Sequence, residues 1–580
     1  MKKLHFLSVL LVLVFSFSCK KTSNSGSGNA NGGNTGGGAV VTPTEPAVEN
    51  TIGFFLDTWT PKNFTVPTAY TEAAVPTESP AALVTIDASK IITKVSSFTF
   101  GQNTNTWMTQ IVTEPALSNH LSTLKPTVLR FPGGSISDVF FWNAENNKLP
   151  ADVPASLLDA EGKPFTPYYW YGKNTDPWTF SVDNYYRLRQ QTGSEGLITV
   201  NYGYARYGTG PNPVAQAAHL AADWVRYDNG RTKYWEIGNE SNGTWEAGYR
   251  INTVANRDGQ PEMVTGALYG QHVGVFIDSM RKAAQEIGKT IYIGAYILEK
   301  QPENWQTSAD KGWNSGVFGA VANKPDYYVI HSYYTPYKTN ASADAILATA
   351  SDNTTAMMTY VKQNMTAAGV TIKPVALDEW NITSEGSLQQ VSFINGMHAT
   401  ILLGEAIKNK YGMTSRWDLA NGWANGNDHG LFNIGDEPGV SKWNPRPAFY
   451  YMYYFQKMMG DRMLSSSFLY GGTGLLAYAS SFTSGEKGVI LVNKDKTAKL
   501  VQVGLDNAKP GSRFYWYTLA GGTDNGEFSR KVYVNNMGPS EPSGGPATEY
   551  TTIKPYSAST SGGIKVALPA RSVVYMVIDK

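Results

Sequence analysis

The sequence predicts an α/β chain in which a (β/α)8 TIM barrel is followed by an antiparallel β-sandwich, and three observations carry that expectation. Short apolar runs alternate with stretches of helical periodicity over about 98–460. Eight such runs occur, each followed by a segment able to cross over a sheet, which points to parallel βα units closing on themselves. Beyond about residue 460 the helical period stops, and short strand-like runs follow one another between clusters of Gly, Pro, Asn and Ser, as in a sandwich.

Taken in order, residues 1–19 read as an export signal of the lipoprotein type. Lys2 and Lys3 precede an apolar run, Leu4–Phe17, that is short for a permanent membrane span, and Cys19, the one cysteine of the chain, follows it. Acylation of that thiol would anchor the chain to the bacterial outer membrane. Residues 20–50 are rich in Gly, Ser, Asn and Thr, bury too little apolar surface to fold, and read as a tether. Residues 51–97 form an N-terminal segment, of which Ala82–Lys94 is expected to lend a strand to the sandwich.

The barrel is expected over 98–460. Its first strand ends near Gly101, and the next seven are Thr127–Pro132, Gly196–Tyr202, Lys233–Gly238, Thr290–Ala295, Tyr327–Ser332, Lys373–Asp378 and Arg416–Ala420. Apolar residues at three- and four-residue spacing predict helices over Pro213–Tyr227, Leu268–Ile287, Ser342–Ala368 and Leu388–Lys408, with Ala448–Met459 closing the barrel. The sandwich, 461–580, is expected from strands at Leu475–Phe482, Gly488–Asn493, Lys499–Leu505, Arg513–Leu519, Arg530–Val534, Gly563–Leu568 and Ser572–Ile578.

With 48 basic and 47 acidic residues the net charge is +1, so no global field recruits nucleic acid, and none is expected as a partner. Aromatics make up 12% of the chain, enough to stack sugar rings after the core is filled. The chemistry concentrates on two glutamates. YWEIGNE ends on Glu240 after strand four and ALDEWN contains Glu379 at the end of strand seven, both at the face where barrels build active sites. Those strands lie across the ring from one another, so the two carboxyls can face each other, as retaining cleavage of a glycosidic bond requires. Glu236 points into the same barrel and reads as structural, and Asp378 is expected by alternation to face away from Glu379. Gly133 and Gly134 read as a tight loop. HExxH spacing, a cysteine pair and a GxSxG elbow are all missing, and Asn425–Asp428 lacks the full calcium-loop pattern, so no metal or cofactor is expected.

Asn239–Glu240, the glutamate of DEWN and LRFPGG (Leu129–Gly134) resemble the clan A retaining glycoside hydrolases, and with the flanking sandwich they resemble family 51 α-L-arabinofuranosidases and their relatives in families 39, 44, 79 and 86. The loops after strands two and eight depart from the family 51 pattern. The resemblance implies Glu240 as acid/base, Glu379 as nucleophile, Asn239 on the sugar 2-hydroxyl and Arg130 supporting the nucleophile. It further implies that His331 and Tyr333 stand beside the nucleophile. Trp423 is a candidate floor for the sugar ring and Trp142 a candidate platform. The expected partner is then a plant or algal polysaccharide, cleaved in an arabinofuranosidase-like or endo-acting manner. An agarase or porphyranase of the family 86 kind, and a non-catalytic glycan-binding lipoprotein, are the competing expectations.

Overall fold

The computed structural model describes residues 43–580, so the export segment, Cys19 and most of the tether lie outside the described residues. Eight parallel strands close the barrel in chain order: Gly101–Asn103, Val128–Phe131, Glu195–Val200, Tyr234–Ile237, Tyr292–Tyr296, Tyr327–Tyr333, Val375–Asn381 and Met413–Arg416, numbered one to eight below. Strand eight pairs with strand one through Ser415 and Gly101, which completes the ring. The fold class expected from the sequence is therefore present.

Strand eight ends at Arg416, where the sequence reading had it begin. The error has a physical source. The strand is Met-Thr-Ser-Arg, fully buried yet mostly polar, and two of its side chains reach backbone carbonyls: Thr414 donates to the Thr99 carbonyl at 2.6 Å and Arg416 to the His429 carbonyl at 2.8 Å. A search for apolar runs passes over such a strand and settles on the next one.

The crossover helices begin where side chains accept the free amide hydrogens of the first turn. Thr265 caps Gly266–Glu286, Ser342 caps Ala343–Ala367, and Thr307 with Asp310 forms a reciprocal capping box on Ser308–Val321. The N-terminal end of the barrel is plugged by aromatics. Phe54 stacks on Tyr292 with ring centroids 4.0 Å apart and Phe55 lies 5.2 Å from Tyr234. The loops that follow the strands at the opposite end are left to build a site.

After the last barrel helix, Pro447–Met458, the chain enters a large sheet. Its centre runs Arg513–Gly521, Ser572–Ile578, Lys487–Asn493, Leu475–Ser481, Arg462–Tyr470, Ala82–Lys94, Lys499–Asp506 and Ile564–Leu568. Arg462–Tyr470 was not anticipated, since its Ser465–Ser467 run masks the alternation. The sheet is also not wholly antiparallel: Ala82–Lys94 pairs antiparallel with Arg462–Tyr470 and parallel with Lys499–Asp506. The sheet folds over itself, so that Val84, Ile86 and Val503 share one core with Phe514, Val574 and Met576. Its other face, with Ile490, Val492, Tyr575 and Val577, belongs to the barrel core. There Tyr575 meets the Thr400 hydroxyl at 2.6 Å and donates to the Tyr451 carbonyl at 3.0 Å.

Candidate active site

Arg130 organises the open end of the barrel. It is the third residue of strand two and is fully buried, and its guanidinium is spent in every direction. Nε lies 2.5 Å from Glu236 Oε1, Nη1 donates to Glu379 Oε2 at 2.9 Å and to Asn103 Oδ1 at 3.0 Å, and Nη2 donates to Asn239 Oδ1 at 3.0 Å. A planar fork of fixed charge is suited to holding carboxylates from several strands in one plane. The loop after it turns on Gly133 and Gly134, both at φ +63°. A Cβ on Gly134 would stand 2.3 Å from the Trp417 ring, so glycine is required there both for conformation and for space.

Glu240 and Glu379 face one another as the sequence geometry required. One oxygen of each carboxyl and one ring nitrogen of His331 all lie within 4.8 Å of each other. Glu379 is held at both oxygens, by Arg130 and by the Tyr333 hydroxyl, which donates to Oε1 at 2.8 Å. Glu240 lies beyond the end of strand four, with φ +39°, a strained value for a residue with a side chain. His331 Nδ1 is 3.1 Å from its Oε1. Asn239 is fixed at both ends of its amide, accepting from Arg130 and donating to Glu246 Oε1 at 2.9 Å.

Four carboxyls crowd around one guanidinium and one imidazole, and burial decides where protons rest. Burial lifts Glu236 well above the ordinary carboxylate range, with the Asp378 charge adding to it. Despite its own burial, Asp378 is held low by the Glu236 hydrogen bond and the charges of Arg130 and His331. Of the two, Glu236 is thus the one that favours the proton. Burial also raises Glu379, while His331, Arg130 and the Tyr333 hydroxyl pull it back. Against burial, the Glu379 charge and bonds to Asp378 and Glu240 raise His331 well above an ordinary imidazole. A raised histidine stabilises the fold fully below its unfolded value, near 6.5, and loses that contribution as pH rises through its folded value. The urea midpoint is therefore expected to fall above about pH 6.5 more steeply for the wild type than for His331→Asn; parallel curves would refute the assignment.

Asp378 corrects the alternation argument. It lies 3.7 Å from Arg130 Nε and 3.3 Å from His331 Nε2, on the same side as Glu379 rather than facing away. The register slips on both flanks of strand seven, between Ile330 and His331 on one side and between Leu377 and Trp380 on the other. Such irregularity lets two consecutive side chains turn inward.

Residues 120–346 match a family model described as alpha-L-arabinofuranosidase 1 domain. A curated relative, an intracellular exo-α-(1→5)-L-arabinofuranosidase of Streptomyces lividans, is 22% identical over 276 residues, 44% of this chain but only 35% of that protein. This chain resembles the α-L-arabinofuranosidases over that span. Among solved structures, the family 51 α-L-arabinofuranosidase of Thermotoga petrophila shares the fold, with TM-score 0.60, 15% identity, and coverage of 86% of this chain and 100% of that one. A family 44 xyloglucanase of Paenibacillus polymyxa does so at TM-score 0.53 and 12% identity, covering 86% of this chain and 99% of that one. The relative and these neighbours are glycoside hydrolases, and the likeness to the solved structures is one of fold.

The structure brings Arg130, Asn239, Glu240, His331, Tyr333 and Glu379 together, while the contacts of Trp423 and Trp142 are with other groups. Trp423 lies between two guanidiniums, Arg446 and Arg530, each 5.4 Å from its ring. Arg446 bridges Asp428 and Glu437, and Glu437 also binds Arg530, so this tryptophan pins the loop after strand eight to the sandwich sequence. Trp142 stacks on Trp224 at 5.6 Å and donates to the Leu220 carbonyl, which makes it part of the helix packing. The ring at the mouth is Trp417, the residue after strand eight, set against Gly133 and Gly134. It was missed because misplacing strand eight put it inside the strand. Glu246 and Asn103 were also missed; the first is six residues past Glu240, where only the turn geometry reveals that it returns to Asn239.

Proposed function

We propose that this chain is a retaining glycoside hydrolase of plant or algal polysaccharide, α-L-arabinofuranosidase-like, with Glu240 as acid/base and Glu379 as nucleophile. The single observation that carries the reading is the approach of the two carboxyls to within 4.8 Å across the barrel mouth, near the roughly 5–5.5 Å of retaining enzymes and too short to seat a water between them. Glu379, with donors on both oxygens, is oriented to attack the anomeric carbon while Glu240 gives its proton to the departing glycosidic oxygen. Water, relieved of a proton by Glu240, then cleaves the glycosyl ester, restoring both carboxyls. The double displacement returns the original anomeric configuration. Asn239, fixed by Arg130 and Glu246, is placed for the sugar 2-hydroxyl.

The arabinofuranoside preference is supported by the family model and by the Streptomyces relative. Product analysis by mass on arabinan, arabinoxylan, xyloglucan, agarose and porphyran tests it. Free arabinose supports it, an oligosaccharide ladder from one polymer replaces it with endo action, and no cleavage by wild-type protein defeats the enzyme reading. Tyr333→Phe removes one of the two donors to Glu379 and is expected to lower kcat by about 10- to 100-fold with little change in KM. An unchanged kcat would release Tyr333 from any role. From Lys2 to Cys19 we further propose export and lipid anchoring to the outer membrane; Cys19→Ala is expected to abolish labelling by radioactive palmitate, and persistent labelling would contradict it.

A further inference from the structure

The insertion between strands two and three carries an aromatic group that the catalytic reading leaves unused. Alternation along Tyr168–Tyr169–Trp170 turns Tyr169 inward, where its hydroxyl donates to the Pro154 carbonyl at 2.8 Å, and turns Tyr168 outward, 64% exposed. Trp170 is half-buried beside it. The Tyr168 and Trp170 ring centroids are 4.9 Å apart at 61°, and those of Trp170 and Trp178 are 5.7 Å apart at 62°, with Trp178 45% exposed. Three mutually braced rings thus stand in a row with apolar surface in water, an arrangement that marks recognition more often than packing.

The row is held in the same frame as the carboxyls. Trp170 and Tyr171 pair with Phe140 and Phe141, which follow the Gly133–Gly134 turn beyond Arg130. From the other side, Thr109 N donates to the Trp178 carbonyl at 3.2 Å and the Gln110 amide donates to the Asp176 carbonyl at 2.9 Å. That segment leads back through Trp107, 6.3 Å from Trp417, to Asn103 on Arg130. A rigid path therefore joins the exposed rings to the catalytic end. Flat exposed rings suit the apolar faces of sugar units.

We infer that Tyr168, Trp170 and Trp178 form a platform for sugar units of the substrate chain remote from the bond that is cut. The inference rests on the glycoside hydrolase reading for its ligand class. It predicts a protein that grips polymer through the platform while the reaction centre acts alone on small substrates. The test is affinity electrophoresis of Glu379→Ala through gels holding arabinan, arabinoxylan, xyloglucan, agarose or porphyran, with and without Tyr168→Ala and Trp178→Ala. In parallel, the Tyr168→Ala/Trp178→Ala protein with Glu379 intact is assayed on an aryl glycoside of the sugar that product analysis identifies. Loss of the two rings is expected to weaken retardation by at least about tenfold, to leave aryl glycoside turnover within about twofold, and to be repaired in part by Trp178→Tyr. Unchanged retardation overturns the platform, as does a Glu379→Ala protein that no polymer retards. Platform-dependent retardation in a protein that cleaves nothing upholds the platform and defeats the hydrolase reading, so the two fail separately.

Discussion

Glu379→Ala is expected to lower kcat by about 10⁴-fold or more on any cleaved substrate, because the carboxylate held by Arg130 and Tyr333 to form the glycosyl ester is removed. The informative result is chemical rescue. Sodium azide should restore turnover of an aryl glycoside by entering the space of the missing carboxylate, and a single displacement then gives a glycosyl azide of inverted configuration. Glu240→Ala should behave differently. Its ester still forms from a good leaving group, and azide then attacks that ester to give a product of retained configuration. Identical stereochemistry from the two variants would refute the division of roles, whatever the loss of rate.

Arg130→Met is expected to be the most damaging single change to the fold itself. It would strip the cation from beneath Glu236, Asp378 and Glu379, all buried. Removing one partner from a buried ion cluster costs about 3–5 kcal/mol, since the remaining charges can neither ionise freely nor reach water. A loss of unfolding free energy of that size, read from the fall in urea midpoint at unchanged m-value, is the expected outcome, together with loss of turnover. Arg130→Lys should rescue little, because an ammonium cannot serve Glu236, Glu379 and Asn239 from one plane. A stable, active Arg130→Met protein would remove Arg130 from the centre of the site.

The parts of this design that were legible in the sequence are those where apolar runs end on a charge. Glu240 and Glu379 each stand at such an end and followed from strand counting, whereas Arg130 followed from the family resemblance. The illegible parts depend on partners that are distant in sequence. In strand eight Thr414 and Arg416 bond to Thr99 and His429, Asp378 turns inward because strand seven is irregular, and Trp423 is claimed by Arg530 from beyond the barrel. Trp142 shows the same limit: the sequence offers its ring as a sugar platform, and in the structure it stacks on Trp224 of a neighbouring helix. Periodicity reports which face of an element is buried, and it carries no information on what buries it.

The strand Ala82–Lys94 lies inside the C-terminal sheet, between Arg462–Tyr470 and Lys499–Asp506, and this fixes an order of assembly. It leaves the ribosome before any barrel strand, yet neither neighbour exists until the whole barrel has been made, on the order of tens of seconds later at ordinary synthesis rates. During that interval its apolar residues, Val84 and Ile86 among them, have no sheet to enter. A strand made before the barrel is thus paired only with strands made after it, and its docking ties sequence from both sides of the barrel into one sheet.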